Sequence, residues 1–271
     1  MSAARLPDAT RMGRVELTVA DEARARRFYE DVVGVPGELG LVGFREDRDA
    51  PAPDPHATGL FHVAILVPKR RDLALALVRI ARARWQLTGA SDHLVSEALY
   101  LNDPEGNGIE IYRDRPREEW PRTETGWRID TLPLDLDDVL DELEGDPGEV
   151  GPMPSGATVG HVHLKVADVP ATESFYTDVV GFDVMARVPS ASFISAGEYH
   201  HHIGMNAWRS RGGPAPAEGS RGLHSYEIVV PEAGDVDAVQ QRLEAAGTPV
   251  ERSNGAFVAS DPAGNRLVLR S

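Results

Sequence analysis

"MGRVELTVADEARARRFYEDVVGV" (12–35) and "VGHVHLKVADVPATESFYTDVVGF" (159–182) are one pattern written twice. Each holds V-A-D, then F-Y, then D-V-V-G, at matching spacing. A second pair repeats in the same way: "GLFHVAILVPKRRDL" (59–73) with "GLHSYEIVVPEAGDV" (222–236), and "NDPEGNGIEIY" (102–112) with "SDPAGNRLVLR" (260–270). Such internal likeness organises the chain before any local reading does.

Each unit opens on an alternating strand, as in Val162, Leu164 and Val166 between His161, His163 and Lys165. A helix follows: over Ala171–Val180, Phe175, Tyr176 and Val179 recur at helical spacing and Gly181 is a natural stop. In the second unit the helix runs from about Asp72 to Ala83, with Leu73, Leu77 and Ile80 on one face. Shorter strand-like runs come next, such as Ala98–Leu101 and Ile109–Tyr112. The reading is an α+β protein of four βαβββ units, over about 12–56, 57–115, 157–211 and 220–271. The first unit is shortened and has lost part of its later strands. Two units thus fill 12–115 and two fill 157–271. The linker between them, 116–156, carries an acidic helix over about Leu136–Leu143, with Leu136, Leu140 and Leu143 on one face. It is expected to lie as a packing arm over the core.

Composition narrows the function. The 271 residues are 41% hydrophobic and 26% charged, as in a soluble globular protein. There is no cysteine, which excludes disulfides, zinc-thiolate sites and thiol chemistry. A net charge of −15 argues against nucleic acid, which needs clustered Lys and Arg. The opening "MSAARLPDAT" has no apolar h-region, and no run approaches eighteen apolar residues, so a cytoplasmic protein without a membrane partner is expected. Walker loop, dinucleotide fingerprint and nucleophile elbow are all missing.

The four-unit layout, with "GHVHLKVADVPATESFYTDVVGF", "YHHHIGMNAW" and "SEALYLNDPEGNGIEIYRDRP", resembles the vicinal-oxygen-chelate superfamily of glyoxalases, bleomycin-resistance proteins and extradiol dioxygenases. It looks most like the bacterial catechol-2,3-dioxygenase-like proteins. The resemblance implies that pairs of units join into two open, cup-shaped mixed barrels with helices outside. It also implies a metal inside a cup, held by two histidines from first strands and one glutamate from a last strand. That 2-His-1-carboxylate face leaves adjacent positions open for substrate and dioxygen. Fe(II) is the metal implied, with Mn(II) fitting the same ligands. The partners implied are a small aromatic diol and O2, and a homodimer is allowed.

The internal alignment assigns these roles. His62 and His161 occupy the same first-strand position, where the first unit has Arg14 and the fourth has Ser225. Glu110 takes the last-strand position, where the fourth unit has Val268. Units two and three therefore hold a full set, His62, Glu110 and His161. Units one with two, or three with four, would not. His163, two residues after His161, is the main competitor but has only Ala64 opposite it in unit two. His224 neighbours the ligand position and is read as structural. Tyr100 stands ten residues before Glu110, where the resembling dioxygenases carry a tyrosine that hydrogen-bonds substrate oxygen. His93 lies a little upstream at a less regular spacing.

In those dioxygenases the acid/base group lies in a His-His sequence on a later strand of the His-bearing unit, which maps onto "GEYHHHIGMNAW" (197–208). Strand alternation would place His200 and His202 on one face and His201 on the other. The expectation is His202 as acid/base, His200 as its partner, and His201 turned outward. "DPEGNGIEIYRD" from Asp103 imitates a calcium loop but reads as a β-turn between strands. Two other functions compete with the dioxygenase: a glyoxalase-like isomerase or lyase, which would need a further carboxylate ligand, and a non-catalytic small-molecule binder of the same fold.

Overall fold

Alternation along the first strand of each unit divides the molecule into a shared core and two concave faces. A computed structural model of the chain describes residues 5–124, 126–253 and 255–271, so the first four residues of the opening stretch lie outside it. Unit one supplies β1 (Arg11–Val19), α1 (Glu22–Phe28) and β2 (Val42–Glu46). Unit two supplies β3 (Gly59–Leu66), α2 (Arg70–Arg82), β4 (Leu87–Asp92), β5 (Ser96–Asn102) and β6 (Gly108–Asp114). The linker adds β7 (Leu132–Pro133) and α3 (Leu136–Asp141). Unit three supplies β8 (Thr158–Lys165), α4 (Val169–Ser174), β9 (Asp183–Val188), β10 (Ala191–Ser195) and β11 (Ile203–Asn206). Unit four supplies β12 (Gly222–Val229), α5 (Ala233–Ala245), β13 (Glu251–Ser253), β14 (Ala256–Ser260) and β15 (Arg266–Arg270).

The strands form two curled mixed sheets. The nine-stranded sheet runs β7-β4-β5-β6-β3-β8-β11-β10-β9, and the six-stranded sheet runs β13-β14-β15-β12-β1-β2. Units two and three thus meet along the antiparallel pair β3–β8, and units one and four along β1–β12. Val15, Leu17 and Val19, with Val63, Ile65, Val162, Leu164 and Val166, are fully inaccessible and belong to one core. Each such side chain stabilises the fold by about 1.5–3 kcal/mol relative to exposure. The intervening residues of the same strands, among them Arg14, His62 and His161, face the concave sides.

The repeated motifs have local physical causes. In units one and three the helix closes with a π-turn, Tyr29–Val33 and Phe175–Val180. Gly34 (φ +89°) and Gly181 (φ +108°) then take the left-handed conformation that a side chain disfavours. Asp103 accepts hydrogen bonds from the backbone N–H of Glu105 and of Asn107, both at 2.8 Å, and from the Asn107 amide. Asp261 does the same with Ala263 and Asn265. These carboxylates are consumed in holding turns, which disposes of the calcium-loop imitation.

A buried ionic knot ties the linker to the sheet. Glu97 is 2% exposed and receives Arg70 Nε (2.8 Å), Arg113 Nε (2.7 Å) and Arg115 Nη2 (3.1 Å). Arg70 also donates to the Asp138 carboxylate at 2.5 Å, which clamps α3 against α2. No helix among the described residues is long and apolar enough to cross a membrane.

Burial alone would raise the Glu97 carboxyl, but Arg70 and Arg113 hold it below its ordinary value of 4.5. A depressed carboxyl contributes stability that is complete above its unfolded value and is lost as pH falls through the folded one. Glu97→Gln is expected to cost about 3 kcal/mol at pH 7, because it leaves Arg113 without a carboxylate partner and takes one from Arg70 and Arg115, which keep Asp138 and Asp92. Urea unfolding should show that gap shrink as the pH falls from 4.5, where the unfolded chain takes up the proton, through the lower native value, where the folded Glu97 does. An equal gap at both pH values would contradict this account.

Candidate metal centre

The register of three neighbouring strands assembles the site. On β3, Ala64 pairs with Glu110 of β6 on one side and with His161 of β8 on the other. His62, two residues before Ala64, lies on the same face and pairs with His163. Ala64 is fully buried, and its single methyl leaves the space above it to the flanking ligands.

His62 Nε2 lies 2.9 Å from Glu110 Oε2, His161 Nε2 lies 3.0 Å from the same oxygen, and the two Nε2 atoms are 3.4 Å apart. The residues are 6%, 2% and 1% exposed respectively. Among the described residues they are the one group of three or more such side chains whose ligand atoms all lie within 4.8 Å. Burial alone would raise the Glu110 carboxyl, yet the two histidines beside it hold it well below its usual range. Burial lowers His161 to about 4 despite the carboxylate. Near pH 7 the set is therefore a carboxylate beside a neutral imidazole, the protonation states that metal ligation requires. The distances also suit a metal. Bonds of about 2.1 Å at right angles place ligand atoms about 3 Å apart, as on one face of an octahedron. The donor set and its geometry fit a first-row divalent ion.

The open side of the triangle faces a cavity of about 410 Å³. Its wall includes Tyr100, His93, His163 and His201. Tyr100 pairs in register with Glu110 and is linked to His93, with its Oη 2.7 Å from His93 Nε2. His93 Nδ1 lies 2.6 Å from the Asp130 carbonyl and can only donate to it, so Nε2 accepts the tyrosine O–H. Burial, helped by the Glu110 charge, pushes the Tyr100 hydroxyl well above its ordinary value and keeps it protonated. His163 lines the cavity but stands apart from the ligand group. His224 lies at the other sheet, where it accepts a hydrogen bond from Arg45 at 2.8 Å.

The three adjacent histidines require a correction. They do not lie on a strand: Gly197 (φ +62°) and Glu198 (φ +54°) turn the chain, and β11 begins only at Ile203. Alternation therefore does not sort them. His202 points away from the metal face, with Nδ1 2.8 Å from Ser195 Oγ and accepting from the Ala196 N–H, and burial lowers it to about 3. It is not on the cavity wall. His201, expected to turn outward, lines the cavity and stacks on His161 at 4.0 Å between ring centroids. His200 is fully buried and bridges the two ends of a relay. Its Nε2 lies 2.8 Å from Asp114 Oδ1, and its Nδ1 lies 2.8 Å from His201 Nδ1. The Asp114 carboxylate can only accept, so His200 donates from Nε2, and in that singly protonated tautomer its Nδ1 accepts. His201 then carries its proton on Nδ1 and keeps a lone pair on Nε2.

The linker does more than pack. Ile129, Asp130 and Thr131 form part of the cavity wall, and β7 extends the sheet beside β4. No motif in 116–156 signals this, because the contact depends on a two-residue strand and a backbone carbonyl.

The model of the glyoxalase/bleomycin resistance protein/dioxygenase superfamily matches residues 158–269. The catechol-2,3-dioxygenase of Bacillus subtilis (strain 168) is 38% identical over 271 residues, spanning 93% of this chain and 94% of that protein. Among solved structures, a candidate dioxygenase from Bacillus subtilis subsp. subtilis str. 168 superposes with a TM-score of 0.68, at 14% identity, over 98% of this chain and 86% of the other. Glyoxalase I from Zea mays superposes with a TM-score of 0.56, at 16% identity, over 96% and 92%. At these identities the two structures speak for the fold alone.

Removing any one ligand by His62→Ala, Glu110→Ala or His161→Ala is expected to weaken metal binding by at least about 100-fold. His163→Ala should retain the ion. Anaerobic dialysis against one equivalent of Fe(II), followed by elemental analysis, checks both. Equal metal content in the ligand variants and the parent would contradict the assignment.

Proposed function

The chain belongs to the glyoxalase/bleomycin resistance protein/dioxygenase superfamily, and we propose that within it the protein is a metal-dependent extradiol dioxygenase that opens a catechol-type ring with O2. The observation that carries this reading is the buried His62–Glu110–His161 triangle, open on one side to a cavity walled by Tyr100 and His201. The 38% identity to a protein named catechol-2,3-dioxygenase supports it over 93% of the chain. Among the described residues no second carboxylate joins the ligand group, so the further ligand that a glyoxalase-like reaction calls for is not supplied.

The three ligands would hold Fe(II), or Mn(II) in the same set. When bound, such an ion supplies Lewis acidity toward the two diol oxygens and electrons for dioxygen chemistry. The remaining tasks fall to side chains of this chain. Tyr100 donates its O–H to His93 and so presents an oxygen lone pair beside Glu110, where it can accept from one diol O–H. His201 presents the Nε2 lone pair to the cavity and can accept a diol proton. Burial holds His201 well below the usual imidazole value, so the ring is neutral and available as an acceptor near pH 7. As His201 takes up a proton, His200 and Asp114 stabilise the charge through the relay. The aromatic and aliphatic wall limits the water that reaches the reacting oxygens.

Anaerobic Fe(II) reconstitution followed by oxygen uptake with catechol tests the reading, with ring opening followed by its absorbance. Uptake that depends on both metal and catechol is expected. His201→Ala should keep the metal and slow turnover by about 10²–10⁴-fold. His202→Ala should stay within a few-fold of the parent. No uptake by the metal-loaded parent, or full activity in His201→Ala, would overturn the proposal.

A further inference from the structure

Four large hydrophobic side chains stand exposed among the described residues: Phe61 (40%), Leu132 (42%), Val188 (37%) and Trp208 (52%). Three of them, Phe61, Val188 and Trp208, line the cavity of the metal centre, and Leu132 follows the lining residue Thr131. Scattered exposed apolar residues need no explanation, but a set gathered around one concavity marks a binding surface. The mouth is also ordered. Phe61 and Trp208 meet edge to face at 5.3 Å, and both pack on His163, at 5.1 and 5.7 Å. Phe193 closes on the same imidazole at 5.8 Å. His163 Nε2 is buried there with no hydrogen-bond partner among the described residues.

Charge gives the second half of the argument. Among the described residues lining the cavity there is no lysine or arginine; its charged groups are Glu110 and Asp130, the latter partly exposed and paired with Arg128 at 3.1 Å. The whole chain carries −15, which adds to the negative potential at the mouth. A carboxylate brought into this slot would lose its hydration and meet no cationic side chain. An apolar chain would gain by burial against Phe61, Phe193 and Trp208. The volume of about 410 Å³ falls within the range for ligands of drug-like size and leaves room beyond a single ring.

We infer that the site selects an uncharged aromatic diol bearing an apolar side chain, seated between Phe61, Phe193 and Trp208, and rejects the same diol when that chain ends in a carboxylate. The inference rests on the dioxygenase reading and adds the substrate class to it.

Two isosteric probes test it: 4-(3-methylbutyl)catechol and 3-(3,4-dihydroxyphenyl)propanoate, with unsubstituted catechol as the reference. Anaerobic calorimetry on the Fe(II)-loaded protein gives Kd for each, and oxygen uptake gives kcat/KM. The alkyl diol should exceed the carboxylated one by at least about 100-fold in both measurements, as for a buried charge left unpaired. Trp208→Ala, at a half-exposed position, should reduce the advantage of the alkyl diol over catechol by about 10-fold. Asp130→Arg should narrow the discrimination against the carboxylate, since it keeps the backbone carbonyl that holds His93. If catechol is opened but the two probes bind and react within about 3-fold of each other, a difference under 1 kcal/mol, the inference falls alone. If catechol itself is neither bound nor opened, the dioxygenase reading falls and takes the inference with it.

Discussion

The antiparallel register between β3 and β8 is the constraint on which the candidate metal site depends. It sets Ala64 opposite His161 and His62 opposite His163. The parallel pairing of β3 with β6 then brings Glu110 beside Ala64. Side chains alternate along a strand, so a slip of one residue would send the ligands into the core and Val63 and Ile65 into the cup. The apolar face enforces the polar one: burial of Val63, Ile65, Val162 and Leu164 fixes the register that converges three ligand atoms. Folding energy and site geometry are here two faces of the same strands.

The second cup shows what remains when the ligands are absent. β1 and β12 join units one and four as β3 and β8 join units two and three. Arg14, Ser225 and Val268 stand at the ligand positions. The backbone N–H of Arg14 and the Nε of Arg270 both donate to Glu227 there, so one ion pair and one main-chain hydrogen bond stand in place of a convergent ligand set. The structural duties of the repeat persist in this half. Tyr176 of unit three hydrogen-bonds Tyr226 and Asp261 of unit four, which links the helix of one unit to the turn of the next. Motifs shared by all parts of a repeat thus report packing, whereas positions that differ between its copies report chemistry.

That distinction explains what could be read from the sequence. The fold was legible because V-A-D, D-V-V-G and D-P-x-G-N each meet a local demand: Asp21 and Asp168 cap helices by accepting from the Arg24 and Ala171 N–H, the glycine makes a left-handed stop, and the last motif makes an Asx turn. The residues of the metal triangle were legible because comparing the copies isolates His62, His161 and Glu110. The triple histidine was misread because strand periodicity was carried back from β11 over His200–His202, which lie in the turn before Ile203 that the left-handed Gly197 and Glu198 open. Gly197 was the available signal. The roles of Asp114, Asp130 and Trp208 were not legible, because each arises from segments far apart in the chain and carries no local pattern. The linker had an amphipathic helix to display and nothing to show that a backbone carbonyl beside it would orient His93.

The central claim is that one metal sits across the β3–β8 seam, held in common by units two and three. X-ray absorption at the iron edge of the anaerobic Fe(II)-loaded protein tests it most directly. The account predicts a first shell containing two imidazoles and one carboxylate, with the remaining positions filled by solvent oxygen and exchanged when catechol is added. A shell with three or more imidazoles, or with none, would contradict it.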